Sequence, residues 1–188
     1  DRRDTVDFVT MASTGNAVDF GNLISDRQTG TGMSSPTRGV LSGGYYQPNT
    51  RVNEFITIAS LGNGQEFGDM YDNTTTRYVP NGLSNSIRGL VAGGITGPGS
   101  ETKYIESITM ATLGNATRFG DLSVNTRSKA GIASPTRGVY AGGRSPADPG
   151  PNAIEYVTIA TEGDAVDFGD LTQGRYEISS MGNGHGGL

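Results

Sequence analysis

One short phrase recurs four times along the 188 residues of this chain and limits the possible folds more than any other feature. The phrase is a β-branched or apolar run, a Gly-Asn or Gly-Asp pair, and then Phe-Gly-Asp/Asn-Leu/Met. Its turn glycines, Gly15, Gly62, Gly114 and Gly163, lie 47, 52 and 49 residues apart. Self-similarity at a period of about 20–50 residues is the signature of repeat architectures. We therefore expect an array of similar structural units.

The residues of each phrase indicate a β-hairpin. In the run Ile56-Thr57-Ile58-Ala59-Ser60, apolar and polar side chains alternate, which is the period-two pattern of a strand with one buried face. The following Gly-Asn or Gly-Asp pair tolerates the left-handed backbone that a tight hairpin turn requires. We expect the second strand of the hairpin to end at Phe-Gly-Asp/Asn-Leu/Met.

A second phrase lies between the hairpins and predicts further strands. It runs from an arginine through a short apolar segment to a double glycine, at 38–44, 88–94 and 137–143. Another short segment begins upstream of it, at Arg27, Arg77 and Arg127. Each unit is therefore predicted to contain four strands, and the whole units are 27–70, 77–122 and 127–171.

The strand count leaves a lone hairpin at 5–23 and a lone strand near 175–181. One interpretation joins them as a fourth unit, 5–23 plus 175–188, so that residues 1–188 form one domain closed by pairing of the two ends. Closure would remove the exposed strand edges that invite aggregation. In the alternative, those edges are paired by something outside the chain, either upstream residues of a longer protein or other copies.

The order of these elements resembles the kelch repeat. Its features here are a hydrophobic strand ending in Gly-Gly and an aromatic residue 23, 25 and 25 residues later, at Phe67, Phe119 and Phe168. Kelch repeats usually have Trp at that position, and this chain contains no Trp. The resemblance implies a β-propeller of about four blades, each a four-stranded antiparallel sheet, around a central channel.

The wording of the repeats, with Val/Ile-Thr-Ile/Met-Ala-Ser/Thr, Gly-Asn-Ala and Asp-Phe-Gly-Asp-Leu, is similar to repeats in virion structural proteins of tailed phages. This resemblance implies a non-enzymatic structural or adhesive module of a fibre or appendage, located on the virion. Its partners would be other virion proteins, a host surface glycan and further copies of the chain. The alternative is a carbohydrate-binding, lectin-like propeller of bacterial origin. A third hypothesis is an enzyme with a site at the channel mouth.

Composition removes several classes of function. A net charge of −5 and a pI near 4.8 argue against nucleic acid as a partner, since phosphate backbones require a clustered basic face. No apolar run approaches the roughly 18 residues that a membrane span needs, so no membrane partner is expected. The chain has no Cys, and its one histidine is His185. We therefore predict no catalytic constellation, no cofactor and no metal.

Two sets of charged residues recur once per unit. Asp69, Asp121 and Asp170 could surround a propeller axis and bind a cation such as Ca²⁺, but we favour caps of turns. The arginines of the second phrase and those at its upstream segment are predicted to make hydrogen bonds between units, because a guanidinium carries five donors.

The segments that differ most among the units follow the double glycines, and we expect them to be loops. Loops on a rigid scaffold commonly carry recognition residues. Tyr45 and Tyr46 are candidates for stacking on a sugar ring, and Arg144 begins the corresponding loop of the last unit. These three residues are the predicted ligand-binding residues, against the alternative that the loops are connectors free to vary.

Overall fold

A computed structural model of the chain describes residues 3–45, 51–71, 77–96 and 99–182. These residues form sixteen β-strands and no helix, which confirms the predicted all-β class. None of the described segments provides a helix that could cross a membrane. The strands, in chain order, are β1 (Arg3–Phe8), β2 (Val18–Arg27), β3 (Thr31–Ser34), β4 (Arg38–Ser42), β5 (Val52–Thr57), β6 (Gln65–Asp69), β7 (Arg77–Tyr78), β8 (Asn81–Ser84), β9 (Arg88–Ala92), β10 (Ile95–Thr96), β11 (Ser100–Thr109), β12 (Thr117–Thr126), β13 (Ala130–Ala133), β14 (Arg137–Ala141), β15 (Ala153–Thr158) and β16 (Val166–Asp170).

Most of the strands form three antiparallel sheets. The first sheet has the order β3-β4-β5-β6, the second β8-β9-β11-β12 and the third β13-β14-β15-β16. The hairpin β1–β2 forms a separate two-stranded sheet. The short strands β7 and β10 pair with each other, and β10 also pairs with the start of β11. The strands at one edge of the three sheets, β3, β8 and β13, lie side by side, and we call them the inner strands.

The predicted end of the hairpins at Phe-Gly-Asp/Asn-Leu/Met is correct for two units and wrong for two. β6 and β16 end at this phrase, whereas β2 and β12 continue for several residues, to Arg27 and Thr126. In both longer hairpins the pairing shifts register at the phrase and resumes beyond it. The phrase therefore marks a bulge, which bends a strand without ending it.

Two hydrophobic clusters hold the sheets together. One lies between the first and second sheets and includes Met33, Phe55, Phe67, Val91, Ile108 and Met110. The other lies between the second and third sheets and includes Leu83, Leu90, Phe119, Tyr140, Val157 and Ile159. Each unit thus buries its apolar side chains against its neighbours, as expected for a repeat that cannot bury them alone.

The Gly-Asn/Asp turn of each unit packs on the outer strand of the preceding unit, and we call this contact a seam. Backbone N–H groups of the turn glycines donate to the carbonyls of the phrase phenylalanines: Gly62 to Phe20, Gly114 to Phe67 and Gly163 to Phe119, each at 2.9 Å. The Asn or Asp beside each of these glycines accepts a backbone N–H with its side chain, from Asn22, Asp69 and Asp121 in turn. The recurring sequence phrase therefore encodes the contact between units as well as the hairpin.

The glycine after each phenylalanine is required by the same seam. A Cβ at Gly21, Gly68 or Gly120 would overlap the carbonyl group of the next unit's turn glycine. Gly21 and Gly68 also have φ near +147°, at +148° and +146°, which side chains rarely adopt. Only glycine therefore lets the two backbones come this close.

The predicted strand at 175–181 is not formed, and the predicted pairing with the N-terminal hairpin is absent among the described residues. This segment instead follows the inner edge of the third sheet. Gly143 N–H donates to the Arg175 carbonyl at 2.9 Å, and Glu177 N–H donates to the Ser128 carbonyl at 3.2 Å. The physical reason is local, because these two hydrogen bonds repeat those that join the preceding units and direct the segment along β13.

Candidate functional site

Each of the units 27–70, 77–122 and 127–171 contains one buried ion pair, and the sequence interpretation missed the acidic members. The pairs are Arg27–Glu54, Arg77–Glu106 and Lys129–Glu155, and no side chain in them is more than 5% exposed. The cation and carboxylate of the last two pairs lie 2.9 Å apart. The sequence feature that could have revealed them is the glutamate at the same repeat position in each unit, Glu54, Glu106 and Glu155. A charged residue in a strand of alternating polarity is usually assigned to the exposed face.

Each of these carboxylates also accepts a main-chain N–H from the preceding unit. The donors are Ile24 for Glu54, Tyr71 for Glu106 and Ser123 for Glu155. A buried charge is tolerated when it is paired and hydrogen-bonded. These groups therefore stabilise the array and are not free to act on a ligand.

The arginines of the second phrase make the predicted hydrogen bonds between units. Arg38 Nη1 donates to the Met110 carbonyl at 3.0 Å, and Arg88 Nη1 donates to the Ile159 carbonyl at 2.9 Å. The prediction of a structural use is therefore confirmed at both positions.

A groove of about 480 Å³ lies along the inner strands. Its wall contains Thr29, Val79, Ser128 and Glu177, which have positive φ of 61°, 49°, 54° and 55°. Each N–H donates to the carbonyl of the preceding one: Val79 to Thr29, Ser128 to Val79 and Glu177 to Ser128. The strained backbone is therefore used to continue a ladder of hydrogen bonds from unit to unit.

Arg144 lies at a pocket of about 650 Å³ at the junction of the second and third sheets. After β14 the chain turns at Gly142 and Gly143, and Arg144 then pairs with Arg127 through two backbone hydrogen bonds of 2.8 and 2.9 Å. A turn closed by Ser145, which bonds to Asp148, fixes the other wall. The predicted loop residue is thus held on a defined backbone.

The chemistry of this pocket is polar. Arg127 Nε lies 3.3 Å from Glu101 Oε1, while Glu101 Oε2 is buried without a hydrogen-bond partner among the described residues. The Arg144 guanidinium lies 5.8 Å from the centre of the Tyr176 ring. Asn125 and Ser145 complete the polar lining. Such a set of donors and acceptors suits a ligand rich in hydroxyl groups.

The structure does not combine the predicted ligand-binding residues into one site. Tyr45 follows the first sheet, pairs through its backbone with Gln28, and has its ring centre 5.2 Å from that of Tyr78, with the rings inclined at 55°. Arg144 holds the same repeat position after the third sheet, so the two lie in different units. Tyr46 lies outside the described residues.

The three aspartates do not form the ring that the sequence analysis considered and did not favour. Each aspartate lies on the last strand of its sheet, far from the first strands: Asp69 on β6, Asp121 on β12 and Asp170 on β16. Two of these carboxylates form ion pairs, Asp69 with Arg51 at 3.0 Å and Asp121 with Lys103 at 3.4 Å. The described part of the chain contains no group of three His, Cys, Asp or Glu side chains placed to hold a metal ion.

No protein-family model and no curated protein sequence matches this chain. Its structure is similar to solved structures, among them one titled "Structure of YjhT". That superposition has a TM-score of 0.69 at 9% sequence identity and covers 87% of this chain and 62% of that chain. This chain therefore spans less than two thirds of that neighbour's length, and the likeness concerns the fold alone.

Proposed function

We propose that the three sheets are blades of a β-propeller, with the N-terminal hairpin and the C-terminal segment belonging to further blade positions. Four-stranded antiparallel order, neighbouring inner strands and identical seams between units support this arrangement. The similarity to a longer solved chain also supports it. Small-angle scattering checks the proposal, since an arc of blades and an elongated stack of sheets have different radii of gyration.

We further propose that the chain is a non-enzymatic structural or adhesive module of a phage virion. The observation that carries the proposal is that the repeated charged residues and turns make contacts between units. The arginines Arg38 and Arg88, the main-chain hydrogen bonds that the buried glutamates accept, and the Gly-Asn/Asp turns all bond one unit to the next. A chain organised in this way is a rigid scaffold that displays loops, which suits a fibre or appendage.

Mass spectrometry of density-purified particles from the source of the gene tests the virion proposal. We expect peptides from this chain at a constant ratio to the major capsid protein through successive purification steps. Gold-labelled antibodies should then mark one appendage in electron micrographs. Loss of the peptides on purification, while capsid peptides remain, would reject the virion location.

The pocket beside Arg144 favours carbohydrate binding as a second candidate function. Glu101, Asn125 and Arg127 line one polar pocket, where Glu101 Oε2 is buried without a hydrogen-bond partner among the described residues. Sugar hydroxyls can satisfy both donors and acceptors. The ligand class is therefore a neutral or acidic oligosaccharide, bound by hydrogen bonds more than by stacking.

A glycan array with matched variants tests this candidate. We expect a defined hit with the unaltered chain that is lost in Arg144→Ala and weakened in Glu101→Gln. Tyr45→Ala is the control, because that residue lies after another sheet. If Tyr45→Ala abolishes the hit and Arg144→Ala does not, the site lies at the first sheet and the pocket assignment is wrong.

A further inference from the structure

The two ends of the array carry complementary halves of one seam. We call the backbone edge of β16 at Phe168, Gly169 and Asp170 the tail edge, and the hairpin turn Gly15-Asn16-Ala17 the head turn. In each internal seam an edge like the tail edge meets a turn like the head turn. Among the described residues, the tail edge lacks such a turn and the head turn lacks such an edge.

The tail edge has lost the burial that its counterparts have. Phe20, Phe67 and Phe119 are 8%, 2% and 3% exposed, whereas Phe168 is 55% exposed. A Cβ at Gly169 would meet nothing within 4 Å, although the same atom at Gly68 would overlap Gly114. An uncovered strand edge beside an exposed aromatic ring is a template for pairing with another chain.

The head turn has the groups that this edge needs. In the seam between the first and second sheets, Gly114 and Ala116 donate their N–H groups to the carbonyls of Phe67 and Asp69, and Asn115 Oδ1 accepts the Asp69 N–H. The N–H groups of Gly15 and Ala17 and the Asn16 side chain have no hydrogen-bond partner among the described residues. Two donors and one acceptor therefore match two acceptors and one donor.

Charge adds a second, independent match. Asp7 pairs across its hairpin with Asp19, as Glu54 pairs with Glu66 and Glu106 with Arg118. Asp7 therefore holds the same repeat position as the two buried glutamates. Arg175, whose carbonyl accepts from Gly143, holds the position of Arg77, whose carbonyl accepts from Gly44. A hairpin docked on the tail edge would therefore bring Asp7 to Arg175 as Glu106 is brought to Arg77.

We propose that a second copy of this chain docks its head turn on the tail edge of the first. The contact is heterologous, because each copy uses a different surface, so it extends head to tail until the assembly closes. The composite unit takes its inner segment, 175–182, from one copy and its outer hairpin, β1–β2, from the other. The inference stands on the geometry of the ends and does not depend on the virion assignment.

Light scattering coupled to size-exclusion chromatography, run across a wide concentration range, is the first test. We expect masses that rise with concentration in multiples of 19.6 kDa. A mass that stays at 19.6 kDa throughout overturns the proposal. If amide exchange then protects Gly15 and Ala17, the chain closes on itself; if they exchange freely, the ends await another occupant.

Two single variants and their mixture test the head-to-tail geometry. Gly169→Ala obstructs the tail edge, and Asn16→Leu removes the acceptor of the head turn. Each variant alone should associate at least about tenfold more weakly than the unaltered chain. Mixed in equal amounts, they should form a one-to-one dimer, in which the head turn of Gly169→Ala docks on the tail edge of Asn16→Leu. The dimer should not extend, because its two outer surfaces are the altered ones. A mixture no larger than the separate variants overturns the heterologous contact.

Phe168→Ser provides a second tail variant, in case the alanine at Gly169 disturbs the fold. Its mixture with Asn16→Leu should also give the dimer, and its mixture with Gly169→Ala should not, because both lack the tail edge. Circular dichroism and thermal unfolding of each variant establish that its monomer is folded. Dimer formation in the mixture of the two tail variants contradicts the proposal.

Discussion

Phe67 and Phe168 hold the same position in the repeat and make the same contact within their own unit, but they differ in burial. Phe67 lies 6.0 Å from Phe55 at 82°, and Phe168 lies 6.0 Å from Tyr156 at 78°. Their exposed fractions are nevertheless 2% and 55%. The contact within a unit is thus set by the unit's own sequence, whereas burial is supplied by the next unit.

The largest expected difference comes from removing these two rings. Phe67→Ala should lower the free energy of unfolding by about 3–5 kcal/mol, because it deletes a ring from a closed core. Phe168→Ala should cost about 1 kcal/mol or less, as most surface substitutions do. Urea unfolding at a concentration where the chain is monomeric measures both. Equal losses would show that the tail edge is already covered in the monomer.

The sequence was sufficient to predict the strands of one unit, apart from the ends of two hairpins. Alternation and the Gly-Asn/Asp pairs located the hairpins, and Gly-Gly located the end of the preceding strand. The path of 175–182 was not predictable in the same way, because its hydrogen bonds go to Ser128 and Gly143 of another unit. The candidate pocket shows the same limit, since Arg144 was found as a loop residue, whereas Glu101 and Arg127 are brought to it only by packing.

A buried ion pair inside a unit gives the next largest effect. Glu106→Gln should destabilise the chain by about 3 kcal/mol, because it removes the carboxylate that lies 2.9 Å from the buried Arg77 guanidinium. Asp69→Asn is the control, since the side chains of Asp69 and its partner Arg51 are 27% and 42% exposed and solvent-accessible pairs contribute about 0–1 kcal/mol. Thermal unfolding at neutral pH compares them. A Glu106→Gln variant as stable as Asp69→Asn would mean that Arg77 finds water or another acceptor.

Backbone approach can be separated from backbone conformation by two glycines. Gly68→Ala and Gly169→Ala introduce a methyl group at nearly equal φ, +146° and +138°, but only the first meets a neighbouring carbonyl. The difference between the two losses of unfolding free energy should therefore be about 1–3 kcal/mol, the range for overpacking. Denaturant unfolding of the monomers measures it. Identical losses would assign the glycine requirement to φ alone and remove the steric argument for the seam.

The smallest effect at neutral pH is expected from an unsatisfied hydroxyl group in the hydrophobic cluster between the second and third sheets. Tyr140 is fully buried between the second and third sheets, and its hydroxyl has no hydrogen-bond partner among the described residues. Tyr140→Phe keeps the ring and removes the unsatisfied group, so it should raise stability by about 1 kcal/mol. The exposed Tyr71→Phe serves as the control and should change the melting temperature little.

Alkaline unfolding sharpens the same prediction. Burial, and secondarily the Glu155 carboxylate, raises the pKa of Tyr140 well above its ordinary value. In the unfolded chain this phenol loses its proton above about pH 10, whereas in the folded chain it keeps it, so stability falls as pH rises beyond that point. The slope from this one group is about 1.4 kcal/mol per pH unit. Tyr140→Phe should therefore unfold at higher pH than the unaltered chain, measured by circular dichroism. If both unfold at the same pH, water reaches the Tyr140 phenol, and the hydrophobic cluster between the second and third sheets is accessible to solvent.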